Sequence, residues 1–425
     1  LKAQRYSSVS GRDSRRCSAT PDPQQSPSLA SRISQVNPIF ATMRTTIFEE
    51  MSGLARESGA INLGQGFPDT IGPPELLGAA ADAVLTGPNQ YPPSVGLPVL
   101  REAVAAHYRR FQSLDIGFAN VLVTSGATEA IAAAFLAVIS EGDEVIVFEP
   151  MYDAYSPLIQ RAGGVPRPVT LRPPHWRLPI DEVAAAIGPR TRAIVLNNPN
   201  NPAARVFSHE ELAALAIICV ERDLIAVCDE VWEHVVFDGS AHVPMIALPG
   251  MAERAIKIGS AGKIFGLTGW KVGFAIAAPS LLQAIGRAHQ FLTFTTPPNL
   301  QIAVAHGLGL DDGFFATMQA ALEHSRDRLV DLLAKTGFTT LASEGTYFVT
   351  VDLAASGVSG NDGVLARRIL SEAGVASIPF SPFYMRGPPP VGLIRLCFAK
   401  PDEMLEEAVG RLGSWLTAQK QRDDG

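Results

Sequence analysis

Seven lysines occur in the 425-residue chain, and none lies between Lys2 and Lys257. Three then follow at 257, 263 and 271, among small residues and glycines: Ser260-Ala261-Gly262-Lys263-Ile264-Phe265-Gly266-Leu267-Thr268-Gly269-Trp270-Lys271-Val272-Gly273. An ammonium group buried there without a partner is costly and shifts toward the neutral, nucleophilic amine. A neutral amine is what Schiff-base chemistry requires; a solvated surface lysine is the alternative.

Other residues around the chain offer matching chemistry. Residues 123–130, V-T-S-G-A-T-E-A, read as a strand turning through small residues into an alanine-rich helix. Backbone N–H groups at such a helix start, approached through Gly126, bind phosphate without side-chain charge, although many α/β proteins share the pattern. Asp229 ends an apolar run at 224–228, so its carboxylate is expected partly buried and in need of a cation, unless it is a plain loop acid. Arg395, inside the apolar stretch I-R-L-C-F-A-K, could grip a carboxylate bidentately or form a structural salt bridge. Asn201 lies in N-N-P-N-N-P at 197–202, where the prolines stiffen either a binding loop or an ordinary turn. Tyr152, in E-P-M-Y-D-A-Y, supplies a flat ring for stacking or for the core.

The segment S-A-G-K-I-F-G-L-T-G-W-K-V-G resembles the cofactor-lysine segment of the class I and II aminotransferases of fold type I, and the likeness extends over most of residues 45–415. This resemblance implies pyridoxal 5′-phosphate (PLP) as cofactor, joined to Lys263 as a Schiff base, with Lys263 then shuttling the substrate's Cα proton. It also implies that Ser260 and Lys271 hold the phosphate with Gly126, Ala127 and Thr128, that Tyr152 stacks on the ring, and that Asp229 holds the ring-nitrogen proton. By the same resemblance Asn201 would contact the ring's phenolate oxygen and the substrate carboxylate, which Arg395 and Gly66 would also meet. Trp232 stands where the family usually has a tyrosine, and Ala203-Ala204 replaces the usual Thr-Gly, so the phenolate contact and the loop geometry differ here. Tyr91, in N-Q-Y, matches a residue that reaches the phosphate of a neighbouring subunit, implying a homodimer with shared sites.

The wording N-L-G-Q-G-F-P-D, H-Q-F-L-T-F and E-G-T-Y-F is closest to the kynurenine/glutamine and methionine aminotransferase branch, with succinyldiaminopimelate aminotransferases the nearest rivals. Phe48, Tyr347 and Phe294 are expected to make an aromatic pocket favouring methionine, glutamine or aromatic donors. Ping-pong transfer to a 2-oxo acid is expected, with cysteine-conjugate β-lysis as a side reaction. A PLP-binding sensor without turnover is disfavoured, since the short N-terminal tail has no room for a helix-turn-helix module. A decarboxylase or synthase of the same fold would release carbon dioxide or condensation products.

Positioning these groups requires an α/β fold. Apolar β-branched runs at 121–124, 144–148, 193–196, 225–228, 256–259 and 273–277 alternate with amphipathic stretches, as βα units of a mostly parallel sheet do. Functional residues belong at their carboxyl ends. The resemblance makes this a seven-stranded sheet in a large PLP-binding domain, 76–329. Mixed strands near 346–351 and 393–398 indicate a small α+β domain formed by 36–75 and 330–425. Residues 1–35, rich in Ser, Arg, Gln and Pro, are expected to be a disordered extension, with a transit segment as the lesser reading and Met43 as a possible internal start.

Composition excludes several classes. Apolar residues at 47% and charged residues at 18% suit a globular enzyme, and a net charge of −7 without a basic face argues against nucleic acid as a partner. Four scattered cysteines, Cys17, Cys219, Cys228 and Cys397, lack metal or disulfide spacing and suit a reducing, cytoplasmic setting. No apolar run is long enough to predict a membrane span, so no membrane partner is expected.

Overall fold

The structure, a computed structural model, describes residues 36–41 and 43–423. The expected extension over 1–35 lies outside the described residues. The chain divides into two units, 1–44 and 45–425. In the first, the described residues include one helical turn, Pro38–Ala41. The second unit carries everything below.

Its strands are β1 (Ile61–Asn62), β2 (Val121–Thr124), β3 (Glu144–Glu149), β4 (Val165–Thr170), β5 (Thr191–Asn197), β6 (Ile225–Asp229), β7 (Ala255–Ser260) and β8 (Gly273–Ile276), then β9 (Thr339–Thr340), β10 (Phe348–Asp352), β11 (Val375–Ala376), β12 (Ile378–Pro379) and β13 (Leu393–Cys397). Four helices matter for the site: α1 (Ile47–Ser58), α2 (Ala127–Val138), α3 (Tyr155–Arg161) and α4 (Pro279–Leu292). A seven-stranded sheet runs in the order β2-β8-β7-β6-β5-β3-β4 and is parallel except for β8, which is antiparallel to both neighbours. The six strands expected from the apolar runs lie within two residues of their expected limits.

Side chains alternate between two cores, one on each face of this sheet. Val145, Val147, Ala193 and Val195 join one, and Ile146, Phe148, Ile194 and Leu196 the other. Burial on both faces is why these strands read as continuous apolar runs. Strand β4 was not expected from the sequence, because Val165-Pro166-Arg167-Pro168 carries two prolines. It pairs with β3 alone, and the N–H groups of Val165 and Leu171 bond to Asp143 and Glu149, so the even-numbered prolines turn their missing donors outward.

Beyond residue 335 the chain forms an antiparallel sheet, β12-β13-β10-β9, and β11 takes β1 as a parallel partner. Register across the large sheet then gathers the chemistry. Asn197 pairs with Asp229, while Gly273 pairs with both Thr124 and Ser260. A Cβ at position 273 would stand 2.5 Å from the Gly126 carbonyl carbon and 2.8 Å from the Ala127 nitrogen, so only glycine lets the turn after β2 lie against β8.

Behind the strand ends sits a buried ionic network. Lys257 on β7 bonds to Glu230 at 2.6 Å and, more closely still, to Glu233; all three side chains are fully buried. Glu230 also accepts from the Met245 amide and meets His242, while Glu233 accepts from the Tyr108 hydroxyl and the Gln112 amide. Burial opposes the charge on Glu230, but Lys257 and His242 outweigh it and bring the carboxyl down to about 2. Its contribution to stability is therefore present above the ordinary carboxylate range and lost as pH falls toward about 2. Replacing Lys257 with methionine leaves two buried carboxylates face to face. The expected cost is about 3–5 kcal/mol in urea unfolding at neutral pH, shrinking in acid as one carboxyl takes a proton.

Candidate active site

A cavity of about 440 Å³ opens at the carboxyl ends of the parallel strands. Its wall includes Phe48, Gly66, Ala127, Thr128, Tyr152, Asn201, Asp229, Trp232, Ser260, Lys263 and Arg395, eleven of the residues singled out from the sequence. Gly126, next to Ala127, and Lys271, which approaches Gly126, are not in the wall itself, and Tyr91 lies elsewhere on the surface.

Lys263 follows β7 on the single turn Ala261–Ile264. Its Nζ contacts the Gly66 carbonyl oxygen at 3.3 Å and stands 4.5 Å above the Trp232 ring, and among the described residues it forms no ion pair. Burial, helped by the charges of Arg395 and Lys271, lowers its pKa to about 8. Trp232 is itself fixed edge-on by Tyr347, 4.6 Å between centroids, whose hydroxyl donates to the Lys263 carbonyl oxygen. Tyr347 thus supports the site from beneath and does not line it.

Asp229 ends β6 with one carboxylate oxygen accepting from Tyr155 on α3 at 2.5 Å. The other oxygen, Oδ1, is buried and unbonded. Desolvation raises its pKa to about 6 even though Tyr155 and the Val231 amide favour the anion. Asn197, opposite it in register, donates to the Asp229 carbonyl oxygen and accepts from the Asn201 amide at 2.7 Å, so the loop after β5 is tied to the end of β6.

Arg395 on β13 is buried, and no carboxylate pairs with it among the described residues. Nη1 donates to Asn201 Oδ1 at 2.6 Å and Nη2 to the Gly64 carbonyl oxygen at 2.8 Å, whereas Nε is buried and unbonded. The Phe348 ring lies 3.7 Å beneath the guanidinium and Phe48 lies 5.2 Å away. Desolvation lowers its pKa to about 9. The structural salt bridge that the sequence left open is not what holds this arginine. Gly66 approaches so closely that a Cβ would stand 2.4 Å from the Phe348 ring.

At the start of α2, Gly126 caps the helix with φ 79°. The Lys271 ammonium stands 3.3 Å from where a Cβ on Gly126 would be, and Lys271 itself holds the left-handed conformation, φ 55°. Tyr152 and Thr128 form the adjoining wall.

Tyr91 is 84% exposed and packs edge-on against Phe294 at 5.5 Å, so Phe294 does not line the cavity. Tyr155, Asn197, Asp153 and Phe348 belong to the site but were not singled out from the sequence. For Tyr155 the available signal was its position three residues after Tyr152. For Phe348 it was its place within E-G-T-Y-F.

These features fit a phosphorylated aromatic aldehyde. Asp229 Oδ1 needs a buried donor such as a protonated ring nitrogen, the α2 start with Lys271 and Ser260 needs an anion, and Lys263 is an unpaired amine.

The family profile described as aminotransferase class I and II matches residues 58–412. A probable N-succinyldiaminopimelate aminotransferase of Mycobacterium tuberculosis is 43% identical over 382 residues, covering 87% of this chain and 95% of that protein. A solved N-succinyldiaminopimelate aminotransferase from that organism superposes with a TM-score of 0.86 at 42% identity, covering 89% of this chain and 99% of the other. The methionine aminotransferase of Escherichia coli is 41% identical over 370 residues, with 87% and 95% covered. This chain belongs to the class I and II aminotransferase family, whose members use pyridoxal phosphate to move an amino group between an amino acid and a 2-oxo acid.

Proposed function

We propose that the cavity transfers the amino group of a neutral L-amino acid, of the methionine, glutamine or aromatic type, to a 2-oxo acid in two half-reactions. One observation carries the reading: a half-buried amine, a buried guanidinium and a buried carboxylate line the same cavity, and among the described residues none of the three forms an ion pair. When bound, PLP supplies an aldehyde that condenses with amines and a ring that withdraws electrons from the donor's Cα. Gly126, Ala127, Thr128, Ser260 and Lys271 would hold its phosphate, Tyr152 would offer its ring a flat face, and Trp232 and Asn201 would serve its phenolate oxygen. Asp229 would keep the proton on the ring nitrogen through its unbonded Oδ1. Arg395, with Asn201 and the Gly66 backbone, orients the donor carboxylate, and Phe48 and Phe348 exclude water around it. Lys263, its amine brought down to about 8, would take up the donor's Cα proton and give it back on the far side of the transferred nitrogen.

The walls given by Phe48, Phe67, Ile131, Val231 and Phe348 favour an uncharged donor side chain. A second reading, transfer from N-succinyldiaminopimelate, is supported by the 43% identity to the mycobacterial protein. An amino-acid panel assayed against 2-oxoglutarate and a neutral oxo acid separates the two: activity with methionine, glutamine or kynurenine supports the first, and activity confined to the succinylated diamino acid refutes it.

The enzyme is proposed to be a homodimer with shared sites. Tyr91, Phe294 and Phe291, the last 87% exposed, leave an aromatic patch uncovered that a second copy would bury. Sedimentation at micromolar concentration is expected to give a dimer, and a monomer would refute the shared site.

With its amine near 8, Lys263 of cofactor-free protein should be labelled by pyridoxal phosphate and borohydride at a rate that rises as pH passes about 8, well below the ordinary lysine value of 10.5. Lys263→Ala should take no label in peptide mapping and lose roughly 10²-fold or more in turnover. Arg395→Gln should lower kcat/KM for amino donors by roughly 30-fold or more, with PLP absorbance retained. An unchanged kcat/KM would show that the carboxylate binds elsewhere.

A further inference from the structure

His289, the first residue of H-Q-F-L-T-F, has no part in the reactions above, yet its side chain is fully buried beside the phosphate cradle. Its ring lies between two acceptors. Nδ1 faces both oxygens of Glu129 at 3.0 Å, and Nε2 faces the Ser94 carbonyl oxygen at 2.8 Å. A carbonyl oxygen can only accept, so Nε2 carries a proton. Glu129 Oε2 already accepts the Ser125 amide at 3.1 Å, and a carboxylate opposite Nδ1 asks for a second ring proton. The geometry therefore suits an imidazolium.

Glu129 stands in the first turn of α2, on the same turn as Gly126, Ala127 and Thr128. A carboxylate there gains from the helix dipole, but left uncompensated it would repel a phosphate dianion at that terminus. We infer that His289, held as an imidazolium, is a positioning residue that neutralises Glu129 and fastens the 125–129 turn, so that the start of α2 accepts the cofactor's phosphate. The inference rests on the reading of that turn as the phosphate cradle. Burial opposes the charge most strongly of any single effect, yet Glu129 and the Ser94 bond together outweigh it and place the His289 pKa above its ordinary 6.5. The groups facing the ring include Glu129 from α2, the Ser94 carbonyl from the loop before the Pro98–Gln112 helix, and the Thr293 hydroxyl at 3.4 Å just past the end of α4. Below about 6.5 the charge is fully present, and it is lost as pH climbs through the raised value.

The phosphate contribution is read as the ratio of dissociation constants for pyridoxal and pyridoxal phosphate, measured by absorbance on the full chain. Pyridoxal is held largely as an internal hemiacetal that the phosphate ester cannot form, so the ratios are compared between wild type and variants at each pH, where that equilibrium and the Lys263 chemistry cancel. The wild type should prefer the phosphorylated form strongly, and the ratio should decline between pH 7 and 9. His289→Gln should cut the ratio by roughly tenfold or more at pH 7 and flatten its pH dependence. The double variant His289→Gln/Glu129→Gln should recover most of the loss, because the unneutralised carboxylate is gone; damage from lost packing would not be repaired in this way. A ratio unchanged in His289→Gln, a double variant worse than the single, or a pH-independent wild type overturns the inference while leaving the cradle in place. A wild type that binds both forms equally overturns the cradle itself. Should the single variant fail to fold by circular dichroism, the wild-type pH series and the double variant still decide.

Discussion

Charge removed from water without an ion-pair partner among the described residues organises the cavity. Lys263, Asp229 and Arg395 border one cavity, and the shifts of all three run toward neutrality because burial dominates each. A folded protein sustains such groups only where surrounding packing over-determines them, and here each is braced by neutral contacts: Trp232 and Gly66 for the lysine, Tyr155 for the aspartate, Phe348, Asn201 and the Gly64 carbonyl for the arginine. The bonding capacity left over is what makes the cavity reactive toward a ligand with a carboxylate, a ring nitrogen and an aldehyde.

Two lysines six residues apart show how context decides chemistry. Lys257 points from β7 into a pair of glutamates and keeps its charge, with its pKa raised, despite complete burial. Lys263, one turn past the same strand, meets a carbonyl and an indole instead and drops to about 8. Desolvation acts on both, and the presence of paired carboxylates sets the outcome. The Lys257 network also fixes Glu230 and Glu233 on either side of Val231-Trp232, which steadies the segment that carries Asp229 and Trp232 into the cavity.

The large sheet turns linear order into proximity. Parallel strands deliver their carboxyl ends to one edge, so Asn197, Asp229 and Ser260, each ending a different strand, meet although they are far apart in sequence. Strand β8 reverses direction and presents Gly273 to the turn after β2, and the absence of a side chain there lets Gly126 and Lys271 come together. Segments from both ends of the described unit complete the wall, with Phe48 on α1 and Arg395 on β13.

Much of this was legible in the sequence, because buried parallel strands must be apolar on both faces and the turns that follow them must be small. Those two requirements mark the strands, the lysine segment and the anion-binding turn without any knowledge of packing. Strand β4 escaped because proline is a strand signal only at an edge, and edge position is a property of the assembled sheet. The free valences of Asp229 and Arg395, the support given by Tyr155 and Phe348, and the protonation demanded of His289 also lay beyond the sequence. Residue type limits what a side chain can donate or accept, but only the tertiary structure decides which partners stand within 3 Å and which bonds remain unmade.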